Sequence, residues 1–207
     1  NNVIPAFIEG TIAGMAAGYF SQMPSHQKSR FVKQHKNIEI WVNGEVVDLA
    51  LVDLVVLRGR HLGSKAVWDP GQLLQVAVTR ASPLNIGFSA IVGQVKIIDP
   101  GDPIGASLRI TKPHPATARK IPIGPGMIAE ISIESLQDLI PGQPIPLAQD
   151  RPIVIALDGE RQIVLGENDQ AEILLNLAGP SLVDLQQVLE HQTQHGNNTL
   201  KGSSHGR

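Results

Sequence analysis

Valine, isoleucine and leucine recur along this chain in short runs, and 20 glycines and 15 prolines break those runs apart. Aliphatic and β-branched side chains suit a pleated surface, and closely spaced turn residues favour strands over helices. Aromatic residues make up only 3% of the 207 positions, so the core must be aliphatic. The expected fold is mainly β. Ile38, Ile40 and Val42 alternate with polar neighbours, and Asn43-Gly44 tolerates two positive φ values, so residues 37–47 are expected to form a hairpin. Leu51 to Leu57 is a nearly continuous apolar run, read as a buried strand interrupted by Asp53. Further strands are expected at Val95–Ile98, Leu108–Ile110, Ala129–Ile133, Ile153–Leu157, Gln162–Leu165 and Glu172–Leu177, with a second hairpin turning at Asp158-Gly159.

Helices are fewer. Ile8 to Phe20 is rich in small residues, and Gly10, Gly14 and Gly18 line one helical face open to a close backbone approach. Ser181 is the expected N-cap of a helix over Leu182–Gln194, whose Leu182, Leu185, Val188 and Leu189 form an apolar stripe. Pro70 suits the first turn of a short helix reaching Ala77. Residues 21–34 and 196–207 are polar and expected to be mobile, and residues 99–121 are expected to be mostly loop around one strand.

With 42% hydrophobic and 17% charged residues, the chain can bury one sizeable core, as one domain or one domain with appendages. A net charge of −2 argues against nucleic acid or an anionic membrane as partner, because both need a basic surface excess. Without cysteine there is no disulfide and no thiolate metal site. No signal-peptide pattern or long apolar run is present, which makes the cytoplasm the default location.

Two features carry candidate chemistry. A carboxylate inside an apolar strand costs much desolvation unless it is paired or hydrogen-bonded, so Asp53 calls for a partner. That partner is either a structural donor at a bulge or edge, or a ligand. The second feature is Thr79-Arg-Ala-Ser-Pro-Leu-Asn-Ile-Gly-Phe-Ser-Ala90, a polar, turn-prone stretch between the apolar runs 73–78 and 91–95. Such a stretch is either a plain connector or a loop presenting hydrogen-bond donors to a polar ligand. Thr79, Ser82, Asn85 and Ser89 are its candidate hydrogen-bonding groups. Arg80 can meet a phosphate bidentately or cover a sheet edge. His191 and His195, four apart, have a spacing that suits zinc, but at the polar end of the last helix they are read as surface residues. Ser203-Ser204-His205 lacks an orienting acid, and Trp41 and Trp68 are read as core or interface aromatics.

Four stretches in order resemble the NAD kinase family. They are Ile38–Gly44 with Asp48–Gly59, where Val52-Asp53 stands for the family's Asn-Glu pair, then Thr79–Ala90, Ile121–Pro125 and Leu157–Gly159. Thr79–Ala90 lies without a gap on the pattern T-P-T-G-S-T-A-Y-S-L-S-A, keeping Thr79, Ser89 and Ala90. The wording of Ala66–Pro70, Ile86–Ala90 and Ala156–Arg161 is closer to a divergent branch, the acetoin-catabolism X proteins. The resemblance implies a β-sandwich of the NAD kinase C-terminal kind with a few marginal helices. It would span residues 37–195, with residues 1–36 as N-terminal helix and connector and 196–207 as tail.

No Gly-Gly-Asp-Gly-Thr motif of the family's N-terminal α/β domain occurs, so the chain is expected to be the C-terminal half of such a protein. The resemblance then implies a nucleotide ligand, NAD or a related adenine nucleotide, with ATP and magnesium for phosphoryl transfer. It puts contacts at Asp53, Thr79, Arg80, Ser82, Asn85 and Ser89, with Asp53 where the family's glutamate meets a ribose. A homo-oligomer, dimer or tetramer, is also implied. Without the Gly-rich aspartate the chain alone is expected to be inactive; the alternative is a non-catalytic, nucleotide-responsive regulator or scaffold linked to acetoin catabolism.

Overall fold

The computed structural model describes residues 9–59, 70–85, 87–112, 114, 118–124, 126–149 and 152–195. The chain divides into two units, one from His35 to Gly179 and one in which the segments before and after it come together. The first unit is a β-sandwich. Its larger sheet is antiparallel throughout and has the spatial order β11, β10, β4, β5, β6, β8, β7. These strands are β4 (Asp53–Arg58), β5 (Leu73–Val78), β6 (Gly105–Thr111), β7 (Ala118–Gly124), β8 (Met127–Leu139), β10 (Ile153–Leu157) and β11 (Arg161–Leu165). Four strands make the smaller sheet, in the order β3 (Glu45–Ala50), β2 (Asn37–Val42), β12 (Ala171–Asn176) and β9 (Ile145–Pro146).

Side-chain alternation explains why the middle strands read as continuous apolar runs. Leu54 and Val56 of β4, with Ile153, Ile155 and Leu157 of β10, face one core with Ile38, Ile40, Ile173 and Leu175 of the smaller sheet. Val55, Leu57, Val154 and Ala156 point the opposite way into a second core. There they meet Ile91 and Val92 of a short helix, α3 (Phe88–Gly93), and Ile121 of β7. A sheet covered on both faces needs apolar residues at every position. Both expected hairpins form, with Asn43 and Gly44 at φ 53° and 85° and Asp158 and Gly159 at 52° and 75°.

The second unit joins α1 (Gly10–Gln22), a single turn α2 (Ser25–Lys28), β1 (Val32–Gln34), β13 (Ser181–Val183) and α4 (Leu185–His195). Ala16, Met23, Phe31 and Val188 form its small core. Residues 21–34, expected to be mobile, are therefore held in place by Phe31 and by the pairing of β1 with β13. Ser181 does not cap the last helix, because it lies in that ladder. Asp184 takes the role: its carboxylate accepts from Gln187 N at 3.1 Å and from Lys33 Nζ at 2.7 Å. A Cβ added at Gly10, Gly14 or Gly18 would meet no atom within 4 Å, so the described chain does not itself fill that helix face.

Three other expectations fail for related reasons. Pro70 opens a 3₁₀ turn to Gln72, but Leu73–Val78 is a strand rather than a helix, since β4 and β6 both pair with it. At Val95–Ile98 the chain instead closes α3 through Val95 N and Lys96 N to Val92 O, and Ile98 forms one isolated bridge with Ala81. Residues 99–121 contain parts of two strands rather than one, because β7 folds back on β8. Residues 196–207, Trp68 and His61 lie outside the described residues. No described helix is long and apolar enough to cross a membrane.

Candidate functional site

The chain leaves the smaller sheet at Ala50 and enters the larger one at Asp53, and this corner gathers most of the candidate residues. Asp158, at the turn between β10 and β11, accepts from three successive backbone N–H groups there. Its carboxylate receives Leu51 N at 2.9 Å, Val52 N at 2.7 Å and Asp53 N at 3.2 Å. In return Asp158 N donates to Asp53 O at 2.9 Å. Thr79 completes the corner, donating from Oγ1 to Leu51 O at 2.7 Å and from N to Val52 O at 2.9 Å. Arg161 reaches back to Leu49 O at 2.8 Å and to the Asp48 carboxylate. The crossover residues Leu51 and Val52 are thus held by the side chains of Asp158 and Thr79.

Asp53 and Arg80 sit behind this corner, 2% and 8% exposed. Burial pulls the Arg80 guanidinium below its usual pKa range, and the charges of Asp158 and then Asp53 oppose that shift. The two carboxylates of the corner thus counter the charge of Arg80. Lys36, 7% exposed, lies in the same field. Its ammonium donates to Asp99 O at 3.1 Å, Asp102 O at 2.6 Å and Ile104 O at 2.6 Å. Desolvation pushes its pKa down to about 8; Asp102 and Asp99 resist, and Arg80 adds to the lowering.

The stretch Thr79–Ala90 is not a uniform loop. Ala81 bridges Ile98, residues 82–85 turn through Asn85 N to Ser82 O at 3.0 Å, and Phe88 already begins α3. Ser82 Oγ accepts from Leu84 N at 3.2 Å, and Asn85 Nδ2 lies 3.5 Å from Ser89 Oγ. Gly93 of α3 packs so tightly on this turn that an added Cβ would stand 2.3 Å from the Ser82 carbonyl carbon. Ser82 and Asn85 are half-buried, while Thr79 and Ser89 are buried. The structure thus brings Asp53, Thr79 and Arg80 to one corner and leaves Ser82, Asn85 and Ser89 on the adjoining turn and helix.

Sequence reasoning missed Asp158 and Lys36 as members of this cluster. An aspartate at a turn after a buried strand is the available signal for the first, since its short side chain reaches backbone N–H groups. Lys36 had no signal, because its acceptors are carbonyls more than 60 residues away. Among the described residues no group of three or more His, Asp or Glu side chains could hold a metal ion. A cavity of about 440 Å³ lies not here but past Arg58, at the far end of β4.

The model for the acetoin catabolism protein X C-terminal domain matches residues 36–178. The chain belongs to that family. Acetoin catabolism protein X of Cupriavidus necator is 28% identical over 202 residues, covering 94% of this chain and 55% of the relative. The chain thus spans about half the length of the curated relative it matches. The matched family region begins at Lys36, the residue that anchors the 99–104 loop, and ends at Ala178, one residue before the end of the sandwich unit.

Proposed function

We propose that this domain is the ligand-contacting half of an NAD-kinase-like protein of acetoin catabolism, binding an adenine nucleotide or dinucleotide at the Asp53–Arg80 corner. The observation that carries the reading is the buried Arg80 beside Asp158 and Asp53, adjoining a turn that carries half-buried Ser82 and Asn85. A carboxylate accepts from ribose hydroxyls, and a guanidinium meets a phosphate, so the corner holds both kinds of group that a nucleotide needs. The turn supplies an amide and hydroxyls beside them. Phosphoryl transfer would draw its base from outside this chain, and no described cluster here fits magnesium.

Titration calorimetry with NAD, NADP, ATP and AMP tests this reading on the domain and on the full-length polypeptide. Asp53→Ala is expected to weaken binding by about 1.5–3 kcal/mol, the range for a hydrogen bond to a charged group. Absence of binding by the full-length protein overturns the proposal. A second reading, a nucleotide-responsive regulator without catalysis, is favoured by Val52, which cannot make an asparagine's hydrogen bonds. The two readings part in an assay for NADP formation by the full-length protein with ATP or polyphosphate and magnesium: product supports the first, and nucleotide binding without product supports the second.

A further inference from the structure

At the far end of the seven-stranded sheet, the end of β4, the start of β5 and the edges of β6 and β8 enclose the cavity of about 440 Å³. β4 runs from Asp53 to Arg58, and five residues at about 3.3 Å each separate the two ends by roughly 17 Å. The floor is apolar, made by Leu73, Leu74, Ile110, Ile131 and Ala148, all buried. Around it stand three cations, Arg58, Arg109 and Lys112, and two carboxylates, Glu130 and Glu134. We propose that this cup binds a small phosphate monoester whose carbon skeleton carries hydroxyl groups.

Four observations select that class. The volume falls within the range of small-molecule pockets, roughly 300–1,000 Å³. A phosphate dianion needs more than one cation to neutralise it, and Arg109 and Lys112 supply two. Arg109 is also held in place, since its Nη2 donates to Pro146 O at 2.8 Å, which leaves other donors of its five-donor fork for an oxyanion. Glu130 and Glu134 repel a phosphate and accept from hydroxyls, so they suit the opposite end of the ligand. Neither they nor Lys112 join an ion pair among the described residues.

None of the described lining residues is aromatic, and the C–H faces of a short polyol pack well on their aliphatic side chains. The site is therefore chemically distinct from the Asp53 corner, and its ligand need not be a nucleotide.

Titration of the whole chain with ribose 5-phosphate, glycerol 3-phosphate, ribose and inorganic phosphate tests the assignment. Ribose 5-phosphate is expected to bind saturably, with ribose and inorganic phosphate each at least tenfold weaker. Lys112→Glu is expected to weaken ribose 5-phosphate at least tenfold. Glu134→Gln should weaken the ester while leaving inorganic phosphate unchanged. Both side chains are exposed, so the variants should fold, which circular dichroism checks. Absence of binding by either ester overturns the proposal. So does inorganic phosphate binding as tightly as the esters, or Lys112→Glu binding them as well as the wild type.

Discussion

The two ends of strand β4 treat charge in opposite ways. At Asp53, charges are buried, and the Asp158 carboxylate, the Lys36 ammonium and Thr79 spend their hydrogen bonds on the protein's own backbone. At the Arg58 end, charged side chains, among them Lys112, Glu130 and Glu134, ring a cavity. The difference follows from where the chain must cross. Residues 51–52 pass between sheets and leave ladder positions unfilled, so side chains must satisfy the backbone there, whereas the far end of the strand carries no such debt. A charged group that holds the fold costs stability when removed; one that rings an open cup does not.

The largest effect should come from Asp158→Ala. It orphans three backbone N–H groups and removes a carboxylate that counters the charge of Arg80, so unfolding free energy should fall by about 3–5 kcal/mol, since each buried donor left unsatisfied costs about 1–3 kcal/mol. Denaturant titration measures this, and a loss near zero would erase the contrast between the two ends. Lys36→Met should follow at about 2–3 kcal/mol, because three carbonyls of the 99–104 segment lose a charged donor.

Lys36 also gives a pH signature. Its folded pKa is lowered to about 8, so above that pH the unfolded chain binds more protons than the folded one. Its contribution should therefore make stability rise between about pH 8 and the usual lysine range near 10.4. Below about pH 8 its penalty is fully present and constant. Lys36→Met should remove that slope while leaving the other titrations in place.

A smaller effect is expected in the helical unit, where His191 stacks on His195 at 4.2 Å and meets Tyr19 Oη at 3.2 Å. Desolvation, then His195 and Arg30, lower the His191 pKa. The folded state thus resists protonation, and this unit should weaken as pH falls below the usual histidine range of about 6.5. His191→Gln should flatten that dependence in a helix signal followed by circular dichroism. The smallest change is reserved for the open end: Lys112→Ala should alter stability by no more than about 0.5 kcal/mol. A larger loss would mean that the cup, too, is bound into the fold.

Most strands were legible because their signal is local. Ile153–Leu157 was read without error, since five apolar residues between turn residues have few other uses, and Asn43-Gly44 announced its hairpin through backbone preference alone. The errors at Leu73–Val78 and Ser181 have one cause. Pro70 and Ser181 are locally good helix starters, but partners distant in sequence decided both, β6 for the first and β1 for the second. Of the buried corner, Asp53 was marked by its charge in an apolar strand, and Thr79 and Arg80 by the polar stretch and the resemblance it carries. What holds them could not be named, because Asp158 lies 105 residues from Asp53 and Lys36 over 60 residues from its acceptors.

Composition and periodicity by themselves determined that this chain builds an aliphatic β core and where most of its strands and both hairpins lie, because side-chain alternation and turn preference act over a few residues. Tertiary structure alone decided the rest. It turned the buried aspartate into part of a charge-balanced corner, closed a small helical unit from both ends of the chain, and left a charged cup where no motif pointed. Each of these depends on which groups meet after the sheets pack, and the energy of a charge is set by those neighbours rather than by its place in the sequence.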